Sequence, residues 1–185
     1  MIEKTFKHYN ELFLPVIKKL IDSNVKFYGF KETIRWCFVE NKDISIFATC
    51  GNDNIIYVNL LAVIDSYSIG DIRQIEYFLL HEIRHIFQNI MINDFQSGKM
   101  PVVGSELVQI WINEKEKYQR AVDDSGNENP NYFKQDLEMD AYAFSLAVMK
   151  YKYGDVSNLF IPSSYGSEFN DIVNKWIELF TADNL

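Results

Sequence analysis

Apolar residues in the middle of the chain recur at helical spacing. From Ile72, the residues Ile75, Phe78, Leu79, Ile83, Ile86, Phe87 and Ile90 hold that period to about Ile92, which is the stripe of an amphipathic helix. Gly70–Asp71 just before it reads as the helix start, with Asp71 as the N-cap. Residues 2–22 place Phe6, Phe13, Val16, Ile17 and Leu20 close to the same spacing, with a break or bend expected near Pro15. Further helices are expected over about 105–120, over about 132–151 with a stop at Gly154, and over about 167–180. The last is amphipathic through Phe169, Ile172, Val173, Trp176 and Phe180.

Between the first two helices the pattern changes. Val25–Phe30, Thr33–Glu40, Ile44–Cys50 and Ile55–Val63 are short β-rich runs, separated by the turn signals Gly29, Asn41–Asp43 and Gly51–Asn54. They predict a small, mostly antiparallel sheet, and the whole reads as an α+β fold. No repeat, low-complexity linker or composition break divides the 185 residues. One domain spanning 1–185 is therefore expected, long enough to bury a sizeable core. The stretch Asp123–Pro130 resembles a calcium loop only superficially, because its glycine is misplaced and position 12 is Lys134.

Composition narrows the function classes. Hydrophobic content of 48% with 15% aromatics is that of a globular chain. A net charge of −8 without a basic cluster argues against nucleic acid or an anionic membrane as the main partner. Cys37 and Cys50 are too few for a disulfide framework and lack CxxC spacing, which points to a reducing compartment. The stretch MIEKTFKHYNELF has no secretory apolar core. No apolar run reaches the roughly 20 residues of a membrane helix. A soluble, cytoplasmic protein is expected.

The candidate chemistry sits in the central helix, at His81-Glu82-Ile83-Arg84-His85. Four residues advance a helix by about 400°, so His81 and His85 lie about 40° apart on one face, one turn up. Two imidazoles so placed can reach one zinc ion at the roughly 2.0–2.1 Å of a Zn–N bond. Glu82, rotated about 100° from His81, can stand over the open coordination position as a general base without being a ligand. The competing interpretation is two partly buried histidines satisfied by hydrogen bonds. The mid-helix position downstream of a small sheet favours the metal.

A catalytic zinc needs a third protein ligand and an open position. The only other histidine is His8, which has no partner motif, and His85 is followed by IFQNIM rather than an H-x-x-G-x-x-H extension. The better source is the later helix, YFKQDLEMDAYAFSLAVM, with Asp136, Glu138 and Asp140 ahead of the small residues Ala141, Ala143 and Ala147. Those acids could instead merely complement the helix dipole.

His81-Glu82-Ile83-Arg84-His85 followed by Glu138-Met139-Asp140-Ala141 resembles the zincin metallopeptidases with glutamate as third ligand. It is most similar to the small bacterial and phage-associated ImmA/IrrE-like peptidases, over about residues 72–148. The resemblance implies a zincin-like fold, zinc bound by His81, His85 and Glu138, Glu82 as general base, and Ala141 as the matching small residue. Arg84 departs from that pattern, standing where the family residue is often small, and its guanidinium is expected at the C-terminal side of the helix or on substrate. The second element can also be framed earlier, with Asp136 as ligand and Asp140 as its companion. Glu138 is preferred for its reach and for Ala141.

The activity so implied is a zinc-dependent peptidase of narrow specificity, acting on a peptide or protein substrate, with a regulatory protein suggested. The alternative is a non-catalytic interaction module that retains a zincin fold. Substrate is expected to add as a strand along Ile55–Leu61. Tyr142, Tyr132 and Arg84 are candidate oxyanion donors, although residue-type burial tendencies favour a structural or solvated role for each, and Asp140 is a candidate to orient a ligand histidine.

Overall fold

The computed structural model describes residues 2–29, 33–70, 72–121, 127 and 129–182, the side chains of 2–7 excepted. The expected N-cap Asp71, the end of the first β-rich run at Phe30, the Phe6 side chain and most of the 123–130 loop lie outside the described residues. Among the described residues the architecture is mixed α+β. The order is α1 (Ile2–Asn24), β1 (Arg35–Val39), β2 (Ala48–Cys50), β3 (Ile55–Asn59), α2 (Leu60–Ser68), α3 (Ile72–Gln96), α4 (Ser105–Glu116), α5 (Asp136–Tyr153) and α6 (Ser167–Ala182). None of the described helices is long and apolar enough to cross a membrane. The chain divides into two compact units, residues 1–83 and 84–184, and the division falls inside the continuous helix α3.

In residues 1–83, α1 buries Phe13, Ile17 and Ile21, a stripe spaced by four. The helix runs through Pro15 without interruption. Proline removes the hydrogen bond to Glu11, but both residues lie on the exposed face, where solvent can satisfy the carbonyl. Val25–Tyr28, expected as a strand, tightens into a 3-10 turn ended by Gly29 at φ +68°. That turn places the Tyr28 hydroxyl to donate to the Leu80 carbonyl at 2.6 Å. Asn24 Nδ2 donates to Glu76 Oε1 at 2.8 Å, and both residues are buried. Together these bonds anchor the first half of α3, up to the residue before His81.

The sheet has the order β1-β3-β2. β1 pairs with β3 in parallel from Arg35↔Ile55 to Val39↔Asn59, whereas β2 pairs with β3 antiparallel from Ala48↔Val58 to Cys50↔Ile56. The sheet is therefore mixed rather than mostly antiparallel, and its longer pairing is the parallel one. The cause is the short β2, whose hairpin with β3 inserts β3 between the other two strands. Ile56 and Val58 of β3 are fully buried. A central strand has both hydrogen-bonding edges occupied, so Ile55–Leu61 cannot accept a substrate strand as expected.

The expected Ile55–Val63 strand stops at Asn59, and Leu60 begins α2. Asn59 makes the switch. Its Oδ1 accepts from Leu61 N at 3.2 Å, capping α2, and from Asn41 N at 3.1 Å. Its Nδ2 donates to the carbonyls of Asp43 at 3.0 Å and Ile46 at 2.9 Å. All four hydrogen-bonding positions of a buried amide are filled, tying the loop before β2 to the end of β3.

In residues 84–184, α5 packs against α4 and α6. Ala141, Ala143, Phe144, Leu146, Ala147, Val148 and Met149 are all essentially inaccessible. A helix apolar around most of its circumference belongs inside, and the alanines let neighbours approach closely. The α5 N-terminus is capped from a distance. Glu114 on α4 accepts from Asp136 N and Leu137 N, each at 2.8 Å, satisfying two amides that no helical carbonyl can reach. Burial holds the Glu114 carboxyl above its ordinary range despite those two bonds.

Candidate metal centre

His81 and Glu82 lie in mid-α3 and are buried, at 2% and 8% exposure. The first turn of α5 supplies Glu138, which is completely buried. Glu138 Oε1 stands 3.5 Å from His85 Nε2. One ligand atom each from His81, His85 and Glu138 lie within 4.8 Å of one another. Two ligands on a tetrahedral zinc, with bonds of about 2.05 Å, are about 3.3 Å apart. The His85–Glu138 pair already stands close to that separation. Two imidazoles and one carboxylate are a fitting donor set for zinc.

The other acids of α5 go elsewhere. Residue 138 is rotated about 160° from 136 and 140 on a helix, and the three side chains separate accordingly. Asp136 is exposed. Burial of its surroundings first, and then Glu168 and Asp140, raise its carboxyl above the usual range. Asp140 is buried against Arg84, which donates from Nε to Oδ2 at 2.8 Å and from Nη2 to Oδ1 at 3.0 Å.

Arg84 corrects an expectation. It is 1% exposed, with its guanidinium carbon 4.4 Å from the Phe87 ring centre, 4.5 Å from Phe144, 4.7 Å from Trp176 and 5.8 Å from Trp111. A charge so placed cannot reach a substrate. It is tolerated in the core because a bidentate carboxylate neutralises it and aromatic faces surround it.

Asp140 reaches the histidines only through another side chain. Its Oδ2 also accepts from Gln88 Nε2 at 2.8 Å, which donates in addition to the Leu137 carbonyl at 2.9 Å. Gln88 Oε1 in turn lies 2.8 Å from His85 Nδ1. Sequence reasoning passed over Gln88, although a polar residue one turn beyond His85 in an apolar stripe is a legible signal.

Of the expected oxyanion donors, Tyr142 lies in an aromatic cluster with Phe133, Phe160 and Tyr165. Tyr132 does face Glu138; burial, and then Glu138 and Tyr118, push its phenol well above the ordinary range. The residue that sequence reasoning missed is Tyr118, whose hydroxyl donates to Glu138 Oε1 at 2.6 Å. The segment carrying it is pinned by Gln135, which accepts from Gln119 N at 2.7 Å and donates to Gln119 O at 3.0 Å. Nothing local in the sequence marks Tyr118, since its partner is 20 residues away. Comparison with protein-family models, curated proteins and solved structures finds no match to this chain.

Proposed function

We propose that the chain is a zinc-dependent metallopeptidase with a zincin-like fold, in which His81, His85 and Glu138 hold the metal and Glu82 is the general base. One observation carries this reading. Two imidazoles one turn apart on α3 and a fully buried carboxylate from α5 bring their donor atoms within 4.8 Å. Three protein donors of this kind leave a tetrahedral ion one open position, the arrangement of a catalytic rather than a structural zinc. When bound, the ion supplies Lewis acidity to the scissile carbonyl and to the attacking water.

The chain's own residues do the rest. Glu82 takes the proton of the nucleophilic water and returns it to the leaving amine. Glu138, completely buried, accepts from the Tyr118 hydroxyl at 2.6 Å, which helps to hold its carboxylate in place. A general base beside the metal has no use in a pure binding module, which favours the enzyme. A peptide or protein substrate and a regulatory target follow from the resemblance of the two sequence elements to ImmA/IrrE-like peptidases, and a cytoplasmic setting from the two cysteines without CxxC spacing.

Metal analysis of the purified protein is expected to give about one zinc per chain. Glu138→Ala should lower zinc affinity at least tenfold, because it removes one of three ligands and leaves two imidazoles. Asp136→Ala should leave it unchanged. Wild-type zinc content in Glu138→Ala would remove that residue from the ligand set. If His85→Ala also keeps its zinc, the metal reading fails altogether.

A further inference from the structure

We propose that Gln88 is a positioning residue that holds His85 in its Nδ1–H tautomer, so that the Nε2 lone pair is aimed at the Glu138 side. A primary amide has two N–H donors and one acceptor oxygen, and its orientation is assigned from its partners. The NH₂ group of Gln88, itself 1% exposed, has Asp140 Oδ2 at 2.8 Å and the Leu137 carbonyl at 2.9 Å. A carbonyl can only accept. Asp140 Oδ2 already accepts from Arg84 Nε at 2.8 Å, and an arginine can only donate. Flipping the amide would set its oxygen against two acceptors, so the network admits one orientation. Gln88 Oε1 then faces His85 Nδ1 at 2.8 Å, and that nitrogen must carry the hydrogen.

The consequence falls on the other ring nitrogen. With Nδ1 protonated, neutral His85 has a lone pair at Nε2, 3.5 Å from Glu138 Oε1. Two electron-pair donors then face each other, which suits a cation between them. In the opposite tautomer Nε2–H would donate to Glu138, and the site would close on its own hydrogen bond. Gln88 thus decides between a metal-ready and a self-satisfied arrangement. The order of support is Arg84 to Asp140 to Gln88 to His85, so the buried ion pair sets the ligand's orientation through the one intervening side chain of Gln88.

The inference rests on the metal reading for its purpose, but its test does not. Nitrogen-15 NMR of the metal-free protein, at a pH where the ring is neutral, should show His85 protonated at Nδ1. Gln88→Met, similar in length but without a strong acceptor, should move the population toward Nε2–H. Competition with a chromophoric chelator should find zinc held about 10–100-fold more weakly in that variant. A wild-type His85 protonated at Nε2 overturns the proposal, and this requires no variant to fold. An unchanged tautomer and zinc affinity in folded Gln88→Met overturn it as well. A tautomer that switches in a protein whose wild type binds no zinc upholds the role of Gln88 and removes the metal reading instead.

Discussion

Glu82→Gln is expected to keep zinc and fold while losing hydrolysis by a factor of about 10² to 10⁴, the usual contribution of a positioned general base. The side chains are nearly isosteric, so packing at this buried position is preserved. Only the ability to accept a proton disappears. Glu82 is not among the three residues whose donor atoms cluster, so the metal content has no reason to change. The measurement is cleavage of a verified peptide or protein substrate by zinc-matched preparations. Equal rates in the two proteins would show that the base is elsewhere. Loss of zinc in the variant would make Glu82 a ligand.

The second large effect concerns stability. Breaking the buried Arg84–Asp140 pair on one side, with Arg84→Met or Asp140→Leu, should cost about 3–5 kcal/mol, because the remaining charge is left in the core. The double variant should recover much of that loss, since apolar side chains of similar volume suit the surrounding Phe87, Trp111, Phe144 and Trp176. Urea unfolding of the metal-free protein supplies the four stabilities of the double-mutant cycle. Single variants each costing under about 1 kcal/mol would mean that the pair is solvated in solution and is not a core element. The Arg84 prediction also separates two roles, because a substrate-binding arginine would affect cleavage and leave unfolding unmoved.

The long helices were legible because each presents an apolar stripe at its own period. α3 was expected from 72 to about 92 and runs to Gln96; α6 was expected from 167 to about 180 and runs to Ala182. The sheet was less legible. IIYVNLLAV reads as one β-rich run, yet Asn59 fills four hydrogen bonds that turn the second half into a helix. Three of those partners lie 13 to 18 residues upstream, beyond any local window. Strand order is non-local in the same way, and the parallel β1–β3 pairing has no signature in either strand alone.

In the candidate site, the placement of His81 and His85 on one face was legible from spacing on one helix, and the separation of Glu138 from Asp136 and Asp140 from helical angle. The partners of those residues were not. Tyr118, Glu114 and Gln135 act across folds of the chain, so their roles are fixed by tertiary packing. Arg84, for which the structural reading outweighs a role as donor, owes its burial to aromatic surroundings that come from α3, α4, α5 and α6, which no single helix reveals.

The remote cap on α5 has a kinetic side. The amides of Asp136 and Leu137 are protected not by their own helix but by a carboxylate on α4, 22 and 23 residues away. Deuterium uptake at these two amides therefore reports release of the α4 carboxylate, whereas uptake deeper in α5 requires the helix to unwind. The turn that bears Glu138 can loosen in a partial opening while the helix behind it stays intact.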